Sequence, residues 1–463
     1  MGTRGDVVVA LSTPWGRAAL AVVRLTGPGC EAVVSQIARP LSGAPWSYGR
    51  PRRVALFDAD GVFDDGLLVL AKGPATVTGE DTAELGLHGN PRLVERLIAA
   101  ALAAGARLAE PGEFTRRGLL HGKLDLVAAE AVGQLIDATS DDGVRLARAA
   151  LDGALTADLT ALREGLIDAA AELEARLDWP DDELALQGDA AVVAGLQALA
   201  DRARALAATY RAGRVWVHGA RVALVGAVNA GKSSLFNALL GTTRAIVHPT
   251  PGTTRDVVEA TTRFGDLSVT LLDTAGERVT DDPIEAAGLA LARELIADAD
   301  LLLVVVRARS AVADLVPAVS GGDLAAPLTH DAVEAELLAR TATNPRLIVC
   351  NGVDRDGVVV PDGVLPTSAL RGEGIEALKR AIASALIGGV AADGRAIASL
   401  RQRDLLNTVA EQAEDAIAAL PIAGPAAAAE AVMDALEAID AITGATTRED
   451  VLDAVFKRFC IGK

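Results

Sequence analysis

Gly226-Ala227-Val228-Asn229-Ala230-Gly231-Lys232-Ser233 follows the apolar run Arg221-Val222-Ala223-Leu224-Val225 and opens a helical pattern through Ser234-Leu235-Phe236-Asn237. A strand, a glycine-framed loop and a helix in that order make a phosphate cradle. Gly226 and Gly231 let the backbone turn so that successive N–H groups and the helix N-terminus face an anion. Lys232 supplies a mobile charge for the β- and γ-phosphates of a nucleotide, and the Ser233 hydroxyl a ligand for Mg²⁺. A look-alike, Gly118 to Gly122-Lys123-Leu124, is one residue short and lacks the hydroxyl, so it makes no second cradle.

Three further segments extend this chemistry. Asp273-Thr274-Ala275-Gly276 closes the β-like run Val269-Thr270-Leu271-Leu272; an Asp there holds Mg²⁺ through water, and a Gly N–H meets the γ-phosphate. Asn351-Gly352-Val353-Asp354 follows Leu347-Ile348-Val349-Cys350. A carboxylate at Asp354 accepts two hydrogen bonds from guanine N1–H and its 2-amino group, which adenine does not donate, so the expected nucleotide is GTP. The usual guanine motif has Lys where Gly352 stands, so the aliphatic stem under the base is missing. Ser368-Ala369-Leu370 fits a second base-binding loop. In Gly252-Thr253-Thr254-Arg255-Asp256, a hydroxyl completes the Mg²⁺ shell when the γ-phosphate is present, and Thr254 is the expected residue.

The elements that carry these loops alternate strand and helix over residues 217 to about 387. Val222–Val225, Ser268–Leu272, Leu301–Val306, Leu347–Cys350 and Val364–Thr367 read as strands of a doubly wound, mostly parallel sheet with ligand loops at the strand C-termini. Residues 1 to about 120 read as a separate α+β domain, with strands at Val7–Leu11, Leu20–Leu25, Arg53–Phe57 and Leu67–Ala71 and a helix from Pro91 to Ala104. From about Lys123 to Ala212 the pattern is helical. Leu151, Leu155, Leu159, Leu162 and Leu166 form one apolar stripe, and Val193, Leu196, Leu199 and Leu206 another after the break at Trp179-Pro180. Helices return after Gly388-Gly389, with stripes Leu405, Leu406, Val409, Ala413, Ile417, Leu420 and Val432, Leu436, Ile439, Ile442. A last helix opens on a capping box, Thr446 with Glu449. Helical segments on both sides imply that the nucleotide domain is inserted into one helical domain.

Composition narrows the class. Hydrophobic residues make up 51% and mean hydropathy is +0.30, yet no apolar run approaches the roughly 18–20 residues of a membrane span. No signal-peptide pattern opens the chain. Cys30, Cys350 and Cys460 are far apart, and His88, His121, His218, His248 and His330 form no ligand-spaced pair, which excludes a disulfide framework and a zinc site. The expected location is cytoplasmic. A net charge of −18 argues against a general nucleic-acid coat or an anionic membrane surface, though not against a local basic patch that meets RNA. Aromatics at 3% leave no visible base-stacking platform.

With these residues read, the chain resembles the tRNA modification GTPases of the MnmE (TrmE) family over nearly its full length. The resemblance rests on Pro14-Trp15-Gly16-Arg17, Thr78-Gly79-Glu80-Asp81, Pro111-Gly112-Glu113-Phe114, Lys123-Leu124-Asp125-Leu126, Gly252-Thr253-Thr254-Arg255-Asp256 and the terminal Phe459-Cys460-Ile461-Gly462-Lys463. It implies a multidomain α/β fold: an α+β tetrahydrofolate-binding and dimerisation domain (1–121), a split helical domain (122–215 and 388–463) and an inserted Ras-like G domain (216–387). It also implies a homodimer that joins an FAD-dependent partner, MnmG (GidA), as a heterotetramer. Together they add an aminomethyl or carboxymethylaminomethyl group at C5 of the wobble uridine, U34, of certain tRNAs. The one-carbon unit would come from 5,10-methylene- or 5-formyl-tetrahydrofolate, held at Arg24, Glu84, Lys123 and Lys463.

By the same resemblance the GTP site comprises Asn229, Ala230, Gly231, Lys232, Ser233, Ser234, His248, Thr250, Gly252, Thr253, Thr254, Asp273, Thr274, Ala275, Gly276, Asn351, Asp354, Ser368, Ala369 and Leu370. Mg²⁺ falls to Ser233 and Thr254. K⁺ falls to Asn229, His248, Thr250 and Thr253 and takes the place of an arginine finger. The family usually has Thr-Asp-Ile-Ala-Gly where this chain has His248-Pro249-Thr250-Pro251-Gly252. Glu285 matches the family's catalytic glutamate, with Lys232 and Thr254 beside it in catalysis. For Cys460 the readings are a prenylation box, which Gly462 and Lys463 fit poorly, a nucleophile, or a merely accessible thiol. Two rivals to a tRNA-modifying enzyme are a ribosome-assembly or membrane-linked switch and a degenerate nucleotide-sensing scaffold. The first lacks a Lys- and Arg-rich RNA-binding domain, and intact Lys232, Ser233 and Asp273 oppose the second.

Overall fold

The computed structural model describes residues 5–43, 45–178, 188–227, 229–241, 257–274, 298–307, 345–355, 358, 360, 362–391, 394–445, 449–457 and 459–462. The chain divides into two compact units, one of residues 1–133, 150–200 and 408–463, the other of residues 134–149 and 201–407.

The first unit holds a seven-stranded sheet of β1 (Val8–Leu11), β2 (Leu20–Thr26), β3 (Ala38–Pro40), β4 (Arg52–Asp58), β5 (Gly61–Ala71), β6 (Thr82–His88) and β7 (Arg107–Leu108), in the order β3-β4-β5-β6-β2-β1-β7. Only β1 and β7 run parallel. Side chains alternate across a pleated strand, so Ala21, Val23 and Leu25 of β2, Leu68 and Leu70 of β5, and Ala83, Leu85 and Leu87 of β6 share one buried face. Val94, Leu97 and Ala101 of the helix Pro91–Ala103 cover it. That helix starts where Asn90 accepts the Arg92 N–H at 2.9 Å and Pro91 pre-sets the first turn. The opposite face carries Val22 and Arg24, Val69, and Glu84, all half-buried.

Helices Leu126–Asp137, Ala154–Asp178, Pro425–Thr443 and Glu449–Phe456 also belong here in whole or large part. Leu155, Leu159, Leu162 and Leu166 are buried as their spacing requires, and the long helix they stripe packs along Pro425–Thr443, with Val432 and Ile439 fully buried on the second helix. Arg163 Nε bonds Asp440 at 2.6 Å across this pair. Leu151 departs from the expected stripe: it closes an earlier helix, Asp141–Leu151, because Gly153 adopts φ +90° and starts the chain anew.

The second unit holds a six-stranded sheet of β8 (Ala220–Val225), β9 (Val257–Phe264), β10 (Leu267–Thr274), β11 (Leu301–Arg307), β12 (Arg346–Asn351) and β13 (Leu365–Thr367), ordered β13-β12-β11-β8-β10-β9. All neighbours are parallel except β9 with β10. The strands read as unbroken apolar runs because both faces are covered. Val222 and Leu224 face Leu235, Phe236 and Leu239 of the helix Lys232–Leu240 and Leu378 and Ile382 of the helix Ile375–Ile387. Ala223 and Val225 lie on the other face with Leu272, Leu302 and Val304. Parallel pairing brings the C-terminal ends of β8, β10, β11 and β12 to one edge.

Among the described residues no helix is long and apolar enough to cross a membrane. Leu159 is fully buried, so Leu159→Ala is expected to cost about 2–5 kcal/mol through lost transfer energy and a residual cavity. Chemical denaturation of the purified protein measures it.

Candidate functional site

The phosphate loop is shaped by close backbone approaches. A Cβ on Gly226 would lie 2.4 Å from the Val305 carbonyl oxygen of β11, so only glycine lets β8 turn there. Asn229 is the one non-glycine with positive φ among the described residues, at +61°. Gly231 follows at φ +94°, and the helix Lys232–Leu240 begins directly after it. The loop thus ends with helix N–H groups directed at it. Lys232 is buried, and its Nζ donates to the carbonyls of Gly226 at 2.9 Å and Ala227 at 3.0 Å, which holds the ammonium across the loop. Ser233 and Ser234 are exposed on the first turn, as is Asn229, while Ala230 is buried.

Asp273 pairs with Leu224 in the β8–β10 register, which sets it beside the loop. Its Oδ1 is buried and has no hydrogen-bond partner among the described residues. A buried carboxylate oxygen without a donor is costly unless a cation or bound water meets it. Asp273 with the Ser233 hydroxyl is therefore a hard-oxygen donor set that suits Mg²⁺.

At the end of β12, Asn351 Nδ2 donates to the Gly231 carbonyl at 3.2 Å, and its Oδ1 accepts the Ala369 N–H at 3.0 Å. The amide therefore ties the phosphate loop to the loop after β13. A Cβ on Gly231 would lie 2.5 Å from that same Nδ2. Asp354 Oδ1 accepts the Ser368 hydroxyl at 2.7 Å, and Ser368 is itself fully buried. The hydroxyl holds the Asp354 carboxyl below its ordinary range. Gly352, at φ +92°, gives its N–H to the Thr367 carbonyl at 2.8 Å, so the turn from Asn351 to Asp354 is pinned to β13. Leu370 projects beside it, 87% exposed. Sequence reasoning placed Asn351 in the GTP site; it missed that both halves of the amide bond protein backbone.

In the first unit, Arg24 and Glu84 stand opposite each other in the β2–β6 register and pair at 2.7 Å. Glu84 and Lys123 line a cleft of about 540 Å³ with Val69, Ala71, Thr76 and Val77. Arg24 meets the cleft only through Glu84, and its guanidinium carbon lies 5.7 Å from the Phe114 ring centroid. The Thr78-Gly79-Glu80-Asp81 turn next to the cleft is clamped by a buried network that the sequence did not announce. Arg117 bonds Glu80 at 2.9 Å, Glu113 at 2.8 Å and Asp6 at 2.8 Å, while Arg107 bonds Glu113 at 2.6 Å. Burial raises the Asp6 and Glu113 carboxyls, but the two guanidiniums outweigh it and hold both below the ordinary range.

The tail docks by its backbone. Ile461 bridges Pro111, and the Ser12 hydroxyl donates to the Gly462 carbonyl at 3.1 Å, which leaves the Cys460 thiol exposed. His248, Thr250, Gly252, Thr253, Thr254, Ala275, Gly276, Glu285 and Lys463, the Thr274 side chain and the Thr446 cap lie outside the described residues.

The family model described as GTP-binding protein TrmE N-terminus matches residues 7–123, and that of the MnmE helical domain matches residues 126–460. Proteins named tRNA modification GTPase MnmE match along their lengths. The one from Roseiflexus castenholzii is 38% identical, with 99% of each chain covered. The one from Myxococcus xanthus is 38% identical with 100% of each covered. Among solved structures, the G domain of the T. maritima FeoB iron transporter is 24% identical, covers 36% of this chain and 98% of its own, and gives a TM-score of 0.27.

Asn351→Ala is expected to weaken guanosine diphosphate binding by tenfold or more, because one buried backbone carbonyl and one amide lose their partners at about 1–3 kcal/mol each. Titration calorimetry reads it. Since the Asp354 carboxyl is held below the ordinary carboxylate range, the preference for guanosine over adenosine diphosphate, in which the shared phosphate titration cancels, should stay level from about pH 8 to about pH 5.

Proposed function

Because this chain belongs to the MnmE family of tRNA modification GTPases, we propose that it hydrolyses GTP to drive a conformational cycle in the modification of the tRNA wobble uridine. The observation that carries the GTPase reading is the convergence of Lys232, the unpartnered Asp273 oxygen and the Asn351–Asp354 turn at one edge of the parallel sheet. Lys232 binds the β- and γ-phosphates once it leaves the Gly226 and Ala227 carbonyls. Asp354 selects guanine by accepting N1–H and the 2-amino group. Mg²⁺, held by Ser233 and Thr254 with Asp273 behind its water, would neutralise charge on the phosphates. Glu285 orients the attacking water as a general base acts, directly or through a second water. Asn229 with His248, Thr250 and Thr253 would hold K⁺ where other GTPases place an arginine.

The cleft at Glu84 and Lys123, joined by Arg24 and Lys463, is proposed to take the tetrahydrofolate that carries the one-carbon unit. Its size and its pairing of an acid with a base suit a pterin edge and a glutamate tail. An FAD-dependent partner of the MnmG type supplies the redox chemistry, and this chain acts as a homodimer in the cytoplasm.

The test is GTP hydrolysis in potassium against sodium buffer. Turnover should be faster in potassium and fall about a hundredfold or more in Glu285→Ala, with GTP binding kept. Equal rates in both salts would remove the potassium assignment. Separately, Asp354→Asn should exchange preference from GTP towards xanthosine triphosphate, whose 2-oxo group accepts where guanine donates; an unchanged preference would displace Asp354 from base recognition.

A further inference from the structure

The chain carries 62 carboxylates and a net charge of −18, yet two stretches are almost free of acid. One, residues 202–255, runs through the phosphate loop, where a carboxylate would repel the nucleotide. The other is residues 7–57, with six arginines against Glu31 alone, a net +5 (six minus one). Four of these, Arg39, Arg50, Arg52 and Arg53, lie on β3, on β4 and on the approach to β4, at the outer edge of the first sheet, with Arg39 and Arg53 on one face and the half-buried Arg52 on the other.

Little neutralises them. Arg53 pairs with Asp65 at 2.8 Å and is still 71% exposed. Arg52 Nε donates to the Ser47 hydroxyl at 2.8 Å, and Arg39 rests 5.9 Å from the Phe57 ring centroid. No carboxylate pairs with Arg39, Arg50 or Arg52 among the described residues. Tyr48 follows the Ser47 that Arg52 bonds and is 40% exposed, with Lys72 5.4 Å over its ring; Glu31 takes the Tyr48 hydroxyl, and Asp81 takes Lys72. Edge protection alone does not require this charge, since the edge strand β3 is only three residues long and ends in Pro40. Nor is it the folate charge: β5 and β6 separate β4 from the Arg24 strand, about 14 Å at three strand spacings.

We propose that this β3–β4 edge, through Arg39, Arg50, Arg52 and Arg53 with the Tyr48 ring, docks the phosphate backbone of tRNA. The inference rests on the tRNA-modifying reading above. Arginine forks fit phosphate oxygens, and an exposed ring offers a face to an unstacked base. The placement also serves the chemistry: Arg53 lies opposite Leu67 of β5, and two residues on, Val69 lines the cleft of Glu84 and Lys123. RNA held at this edge lies alongside that cleft.

The experiment measures binding of an unmodified tRNA transcript to the full-length protein across a salt series. It compares wild type with the triple variants Arg39→Gln/Arg50→Gln/Arg52→Gln and Arg39→Lys/Arg50→Lys/Arg52→Lys. The glutamine variant should bind at least tenfold more weakly, with a salt slope shallower by about 0.7–0.9 per arginine lost. The lysine variant should keep the slope, and both should keep the wild-type melting midpoint. Equal affinity and slope in the glutamine variant would overturn the docking strip and leave the functional reading standing; a strip built for an acidic protein partner gives that same result. Equal loss in both triple variants would also overturn it, because charge would not be the cause. A wild-type protein that binds no tRNA at low salt would instead overturn the functional reading, and the strip with it.

Discussion

The Asn351 amide is the joint on which the nucleotide edge depends. Parallel strands end with carbonyls and amides that have no ladder partner, and loops placed there must find bonds elsewhere or lose them to water. Asn351 is 8% exposed and satisfies two such groups at once, the Gly231 carbonyl on one side and the Ala369 N–H on the other. One short side chain thereby fixes the distance between the loop that meets phosphate and the loop that meets base. An aspartate would offer no donor to Gly231, and a glutamine would reach too far. The Asp354–Ser368 bond repeats the device one turn later, and it leaves Asp354 its second oxygen for a ligand.

The same edge explains why glycine is fixed where it is. At Gly226 the obstacle is the Val305 backbone, and at Gly231 the Asn351 amide, each within 2.5 Å of where a Cβ would sit. Backbone conformation is a second, independent demand at Gly231, whose φ of +94° disfavours any L side chain. The loop is stiff because steric and conformational limits coincide. Lys232 is held by the loop carbonyls, so its charge rests beside the loop and is handed from them to a phosphate on binding.

Much of this was legible in sequence, and unevenly so. The phosphate loop and the strands β8, β10, β11 and β12 were plain, because short runs of branched apolar residues suit buried strands, and Gly226, Asp273 and Asn351 at the ends of three of them suit ligand loops. The stripe Leu155 to Leu166 was equally clear. β6 was missed although it is central in its sheet: Thr82-Ala83-Glu84-Leu85-Gly86-Leu87-His88 contains a glycine and a glutamate that argue against a strand. The tertiary constraint falls on the neighbouring strand, where a Cβ on Gly66 of β5 would lie 2.3 Å from the Gly86 carbonyl, whereas a Cβ on Gly86 itself would come no closer than 3.7 Å to the Leu67 carbonyl. β9 was missed because it is an exposed antiparallel edge with no apolar run. Pattern reading also carried Leu151 into the wrong helix, since a stripe does not register a single left-handed residue at Gly153.

The short sequence marks Thr78-Gly79-Glu80-Asp81 and Pro111-Gly112-Glu113-Phe114 carried the family resemblance, and their acids Glu80 and Glu113 serve the frame. Glu80 and Glu113 meet on Arg117, with Asp6 as third carboxylate and Arg107 closing the ring. Burying such a cluster stabilises little, because each ion leaves water to enter it. What it supplies is geometry: Arg117 has planar donors for three acids from three separate segments, and any shift of the Glu80 turn strands a charge. Close packing acts with it, for a Cβ on Gly118 would lie 2.7 Å from the Val77 carbonyl, so the helix Glu113–Leu120 lies flush on that turn. From the end of this helix the chain runs directly to Lys123, whose N–H bonds the Gly118 carbonyl at 2.8 Å. One short helix thus sets both the Val77 wall of the cleft and the lysine that faces it, which ties the cleft's shape to a network no single motif reveals.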